Sequence, residues 1–230
     1  MLKKVCYILL CLGMFACQEK PAPKKSRTLS KPTKPFDSQL HLLKYHRYIN
    51  DIAKEKNYYR NTKDLNRVQK VTYSIITDSI FPYWYGTAWD FNGITQEPRK
   101  GSVACGYFVT TTLRDAGFPI DRSTLGQQPS SVLIQKLCTD IHKFNTIPEL
   151  EDYFKTQPEK TLFLLGLDTH IGFVIKENNQ LYFIHSSYSG DKQVKKEALQ
   201  NSIPVKKSKV LIVGNFSGNA TMMKRWLGLW

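Results

Sequence analysis

The spacing of apolar residues changes character about two thirds of the way along the chain, from helical intervals to short continuous runs. Between residues 38 and 57, Leu40, Leu43, Ile49, Ile52 and Ala53 recur every three or four positions and predict an amphipathic helix. A second helix is predicted over 62–79, capped by Asn61 or Thr62 and ended by Pro82, with Leu65, Val68, Thr72, Ile75, Ile76 and Ser79 on one face. The aromatic stretch "FPYWYGTAWDFNG" reads as a loop. In "SVACGYFVTTTLRDAGF", residues 102–118, Phe108, Val109, Leu113 and Ala116 share a helical face and Gly117 supplies the stop. A further helix over about 130–143 starts at Pro129-Ser130. Thr146, three residues before Glu149, marks the cap of a short helix after it.

From residue 161 onward the runs "TLFLLGL", "HIGFVIKE", "QLYFIHSS" and "KVLIVGNF" are short, β-branched and aromatic, and read as strands. "ENNQ", 177–180, is the predicted hairpin turn between the second and third. Helices followed by strands indicate an α+β domain with a mostly antiparallel sheet. The tail "TMMKRWLGLW" reads as a short helix or arm packing its aromatics on the body, or as an exposed patch for a partner.

The start of the chain does not fit this core. "MLKKVCYILLCLGMFAC", residues 1–17, has two lysines, an apolar run and a terminal Ala-Cys, the pattern of a secretory signal peptide. "MFAC" resembles a bacterial lipobox, which implies lipidation at Cys17 and anchoring to a membrane on the exported side of the cell. The alternative is an ordinary cleaved signal. Residues 18–36 are rich in Pro, Lys, Ser and Thr and read as a disordered tether with six basic residues and one acidic. The remaining 37–230 form the folded domain. The formal charge of +14 leaves about +7 for that domain once leader and tether are set aside. Export argues against nucleic acid as the partner of this basic surface, and the tether lysines suit anionic lipid head groups.

Of five cysteines, only Cys105 and Cys138 belong to the folded part. An exported protein could join them in a disulfide, but Cys138 shares an apolar helical face with Val132, Ile134 and Leu137, which predicts burial. Cys105 stands at a helix N-terminus, where unpaired N–H groups and the dipole favour a thiolate. The competing reading is a small buried hydrophobe. Among the five histidines, His41 and His46 lie among charges on the first helix, and His142 ends a predicted helix. No pair has the spacing of a zinc site, and neither metal nor cofactor is expected. His170 opens one strand and His185 nears the end of the next, so the hairpin turn brings both to one end of the sheet. A cysteine at a helix start packed against that end would complete a nucleophile, a base and a group that orients the base.

"ACGYFVTTTLRDAGF", "HIGFVI…QLYFIHSS" and "PYWYG" together resemble the nucleophile helix, two-histidine hairpin and aromatic segment of the NlpC family, papain-like cysteine hydrolases of bacterial cell walls. The resemblance spans about residues 62–190. It implies a papain-like fold with Cys105 as nucleophile, His170 as base, His185 as the orienting residue and Tyr83 near the oxyanion site. It also implies peptidoglycan stem peptides as substrates, commonly cut after D-glutamate. Trp84, Tyr85, Trp89 and Asp90 belong to the same segment and are expected to bind substrate. The chain departs from the family pattern in three places. It has Ala104 rather than Asp before the cysteine and Gly106-Tyr107 rather than Ser-Gly after it. The loop from Thr87 to Val103 is longer, and extra helices stand near 122–158. A second class of function fits the same residues, a non-catalytic envelope lipoprotein that binds wall fragments or a protein through the aromatics of "YWYGTAWDF". The sequence leaves the oligomeric state open.

Overall fold

The computed structural model describes residues 36–62 and 64–229. The leader, Cys17 and the tether as far as residue 35 lie outside the described residues, as does Trp230. The first helix, α1 (Ser38–Tyr59), starts at Asp37, whose carboxylate accepts from the Leu40 N–H. Its inward face differs from the expected one. Tyr45 and Ile52 are buried, whereas Leu40 and Leu43 are 47% and 68% exposed. Aromatic burial decides the rotation of the helix. Tyr45 packs on Tyr83 and edge-on against Trp84, and its hydroxyl donates to the Asp115 carboxylate.

Helix α2 (Leu65–Ser74) is capped by Asp64, which accepts from both Asn66 and Arg67, rather than by Asn61 or Thr62. Nor does Pro82 end the helical path. A π-helical segment, Ile75–Ile80, leads directly into α3 (Phe81–Trp84). A proline ring clashes with the carbonyl four residues back and lacks an N–H. The widened turn, in which the Phe81 N–H reaches Ile76, accommodates it. The first four residues of the expected aromatic loop are therefore helical, with Phe81 and Trp84 fully buried.

Helix α4 (Cys105–Asp115) crosses this core. Phe108, Phe81 and Phe173 pack together, with Phe81 and Phe173 centroids 5.0 Å apart. Two short helices follow, α5 (Arg122–Gly126) and α6 (Ser130–Leu137). The helix expected to run to residue 143 stops at Leu137. Cys138 is extended, and Thr139–Phe144 is a strand, β1, on the sheet edge. His142 therefore does not end a helix. It is exposed on that edge and bonds to Asp140. The strand is exposed except at Phe144, which packs against the core under the helix that follows, so a helix here would have little to bury. Helix α7 (Ile147–Lys155) begins at Thr146, whose hydroxyl accepts from Glu149 N–H as expected.

The other strands are β2 (Phe163–Gly166), β3 (Ile171–Glu177), β4 (Gln180–Ser186), β5 (Val194–Ala198) and β6 (Leu211–Asn215). They form one open antiparallel sheet in the order β1-β6-β2-β3-β4-β5. The architecture is α+β, with apolar cores on both faces of the sheet. Helices α1 to α4, α6 and the C-terminal α9 (Ala220–Trp226) cover one core. Helices α7 and α8 (Ile203–Lys207) cover the other. In α9, Met222, Met223 and Trp226 are buried, and the Trp226 indole donates to the Ala116 carbonyl, so the tail packs on the body. No helix among the described residues is long and apolar enough to cross a membrane.

The β3–β4 turn sits at Asn178-Asn179, with φ of 50° and 60° at its two central residues. Positive φ at both positions marks the two-residue turn whose twist matches antiparallel strands, and asparagine tolerates it better than other side-chain-bearing residues. Asn179→Val should therefore cost about 1–2 kcal/mol of stability while Asn179→Gly costs nothing, measured by urea unfolding of both variants.

Candidate active site

Cys105 is the first residue of α4, and the segment ahead of it is fixed by backbone pairing. Val103 N–H bonds to Ala88 O at 2.9 Å, and Ala104 N–H bonds to Gly93 O at 2.8 Å. Ser186 of β4 donates its hydroxyl to Val103 O at 2.7 Å, tying this segment to the sheet. Ala104 occupies the cap position and has no side chain to satisfy the helix start, where Ser or Asp would be worth about 1 kcal/mol. The groups that reach the thiol instead are the N–H groups of Ile171, Gly106 and Cys105 itself. Gly106 is required by a close crossing, because a Cβ there would stand 2.3 Å from the Gly126 carbonyl of α5.

Two opposed effects act on the Cys105 thiol. Burial pushes its pKa up and the three N–H groups pull it down. Burial is the larger, so the resting thiol is protonated. Cys105 and Cys138 are both free. Cys138 is buried, as its apolar face predicted.

His170 lies just before β3, and its Nε2 is 2.7 Å from Nδ1 of His185 on β4. In the β3–β4 pairing, Phe173 faces Ile184, which makes the two histidines diagonal neighbours on one face of the sheet. Gly172 permits this approach, since a Cβ there would meet the His185 Cβ at 2.7 Å. The other ring nitrogen of His185, Nε2, is 2.9 Å from Glu197 Oε1 on β5. Glu197 is a further diagonal step along the same face, because His185 pairs with Lys195. The second oxygen of Glu197 meets Lys195 Nζ at 2.8 Å.

This chain of contacts determines the tautomers. Burial acts to raise the Glu197 pKa, but hydrogen bonds from His185 and Lys195 bring it down to about 2. Glu197 is thus an ionised, acceptor-only carboxylate. His185 Nε2 must carry the proton that Glu197 accepts, leaving Nδ1 of the neutral ring as an acceptor. His170 Nε2 must then donate to it, and His170 Nδ1 holds the free lone pair. Burial, and then the neighbouring His185, push the His170 pKa well below the ordinary imidazole value. Burial also lowers His185, partly offset by Glu197.

Cys105 and His170 line one cavity of about 510 Å³. Trp89 also lines it, and Asp90 stands beside it, turned to accept from the Asn92 N–H. The other expected binding residues do not reach it. Tyr83 packs on His41 and Tyr45, Trp84 is buried with its indole on the Tyr45 hydroxyl, and the Tyr85 carbonyl takes the Arg99 side chain. Helix α1 engages Tyr83 and Trp84 away from the cavity. Tyr188 occupies ground that the sequence left unassigned, edge-on to His170 at 5.3 Å and lining the cavity. A larger groove of about 800 Å³ between α1 and α2 contains neither cysteine nor histidine. Among the described residues no cluster of His, Cys, Asp and Glu is arranged to hold a metal ion.

Because the native fold holds His170 and His185 below their unfolded pKa of about 6.5, the unfolded chain binds more protons below that pH. Stability should fall as pH drops from 7 toward 5, with a slope of up to about 1.4 kcal/mol per pH unit for each imidazole. Urea midpoints measured across this range for the wild type and for the doubly substituted His170→Gln, His185→Gln protein test this; the variant should lose most of the slope.

Comparison with protein-family models, with curated proteins and with solved structures finds no match to this chain.

Proposed function

We propose that the protein is a cysteine hydrolase of amide bonds, with a papain-like arrangement in which Cys105 attacks and His170 transfers protons. The observation that carries this reading is the convergence of a helix-start thiol and a His–His–Glu chain on one cavity. His170 Nδ1 takes the thiol proton as Sγ bonds to the carbonyl carbon. The N–H groups at the start of α4 receive the charge that develops on the carbonyl oxygen. Collapse breaks the C–N bond, His170 returns the proton to the departing amine, and a thioester remains. Water then attacks the thioester, giving its proton to His170, and the acid leaves as the thiol re-forms. Throughout, His170 keeps its Nε2–H on His185 Nδ1, and His185 keeps its own Nε2–H donated to the Glu197 carboxylate. His185 and Glu197 are positioning residues that hold the ring and disperse the imidazolium charge.

The resemblance of the motifs to cell-wall hydrolases makes peptidoglycan peptides the substrate class to test. The lipobox-like leader supports a place for the enzyme in a bacterial envelope, tethered through Cys17. The exposure of Phe91 favours a second reading, a lipoprotein that binds wall fragments without cutting them. Digestion of purified peptidoglycan followed by mass analysis of the fragments separates the two. Iodoacetamide should also label Cys105 rapidly in the wild type and slowly in His170→Ala; a thiol inert in both supports the binder.

Cys105→Ala and His170→Ala should abolish turnover, and His185→Ala should reduce it by about 10- to 1000-fold, with His185→Gln reducing it less. Glu197→Gln keeps an acceptor for His185 but removes the charge that raises the His170 pKa. Its rate should fall by about 3- to 30-fold, and the acid limb of Cys105 labelling should move to lower pH. A purely structural Glu197 would leave that limb in place.

A further inference from the structure

The charge of the cavity is opposite to that of the chain. Lysines and arginines outnumber acids by 33 to 19 in the sequence, yet among the described residues none of them lines the cavity, where the one charged side chain is Asp168. Arg122, which packs on the cavity residue Tyr107, is already engaged. It lies beneath the Tyr107 ring at 4.6 Å, donating to the Thr111 hydroxyl and to the Ile94 and Thr95 carbonyls. Lys207 stands beyond Asp168 and His170, in a smaller pocket of about 40 Å³ that both also line, while the lining around Cys105 itself offers an entering carboxylate or phosphate no cation among the described residues to replace its hydration. Asp168 is held at the edge by the Lys209 N–H on Oδ2, at 2.9 Å, and by its own N–H on Ser208.

The rim supplies apolar surface instead. Phe91 is 80% exposed and Ile94 is 61% exposed, and both line this cavity. They belong to a segment anchored at both ends. Trp89 N–H bonds to Lys192 O, and Thr95 N–H bonds to Ser102 O. Two large apolar side chains held out into water by fixed backbone, beside Trp89 and Tyr188, form the kind of patch that is covered in use. Asn92, Gln127 and Gln128 add uncharged amides that suit a peptide backbone.

We infer that the cavity beside Cys105 seats an uncharged apolar or aromatic side chain of a peptide substrate and rejects a carboxylate at that position. This rests on the reading of Cys105 as the nucleophile of amide hydrolysis. It narrows the substrates to peptides whose residue next to the cut bond carries no free acid, and so departs from the cleavage after D-glutamate that the motif resemblance implies.

Alkylation rates at Cys105, each divided by the rate of N-acetylcysteine with the same reagent, test the inference. Relative to iodoacetamide, N-benzyl-iodoacetamide should gain about tenfold and iodoacetate should lose about tenfold, each corresponding to about 1.4 kcal/mol. Phe91→Ser should remove most of the gain, and Asp168→Asn should recover part of the loss. Iodoacetate reacting as well as iodoacetamide, or no gain from the benzyl group, would overturn the proposal. A second measurement does not depend on a reactive thiol. Acetyl-Gly-Phe-Gly-amide should bind the Cys105→Ala protein at least about fivefold more tightly than acetyl-Gly-Glu-Gly-amide in an NMR titration; equal binding, or preference for the Glu peptide, overturns the inference. Failure of the hydrolase reading looks different, with no turnover and an inert thiol while the preference for the Phe peptide persists.

Discussion

The pairing register across β3, β4 and β5 is the constraint on which the site depends. His170, His185 and Glu197 come from three elements, and they touch only because each is a diagonal neighbour of the next on one face of the sheet. A slip of one residue in either pairing would turn His185 to the opposite face. The Asn178-Asn179 turn fixes the first pairing. Buried residues on both faces, Phe173 and Ile184 on one side and Val174 and Phe183 on the other, resist any slip. Sheet stability and the orientation of the imidazoles are therefore one property.

The helix start completes the site by a local compromise. Ala104 leaves the first turn of α4 without a side-chain cap, and the N–H groups that a cap would satisfy are directed at the thiol instead. A helix terminus short of its usual partner is a small loss of stability located where chemistry can use it. Burial outweighs those N–H groups, so thiol and imidazole are both neutral at rest. An arrangement of this kind does not store a thiolate–imidazolium pair, and under the proposed mechanism its proton moves only as substrate arrives. Any substrate carbonyl that takes up the same N–H groups would shift charge toward the helix start, in the direction the dipole favours.

The sequence was informative where one residue type does one job. Cys105 before an apolar helical face, the two histidines around a predicted hairpin, Thr146 as a cap and the burial of Cys138 could all be read from spacing. The failures share a physical cause, which is tertiary packing overriding local pattern. Leu40 and Leu43 have helical spacing, but Tyr45 finds the better burial and sets the rotation of α1. Tyr83 and Trp84 stand in the expected segment, but α1 covers them, and Tyr85 does not line the cavity either. Strands β1 and β5 escaped notice because edge strands carry charge in place of apolar alternation. "QVKKEALQ" shows little except Val194 facing inward. Glu197 lies in that stretch, and only its pairing opposite Phe183 reveals the third member of the chain.

Charge is divided in the same way between edge and interior. Lys195 and Lys196 lie on β5, where cations discourage edge-to-edge pairing, and each meets a carboxylate, Lys195 on Glu197 and Lys196 on Glu177. The residue that blunts the sheet edge thereby also holds Glu197 ionised and aimed at His185. Among the described residues the cavity beside Cys105 has no cation in its lining, and the field at the His170 imidazole is set from behind, by His185 and then Glu197. His170 accordingly keeps its lone pair toward the cavity whatever uncharged group is seated there. A carboxylate bound close to the ring would raise its pKa and favour the imidazolium before the thiol had given up its proton. Excluding anions from the cavity and keeping the base neutral are, in this fold, two consequences of one distribution of charge.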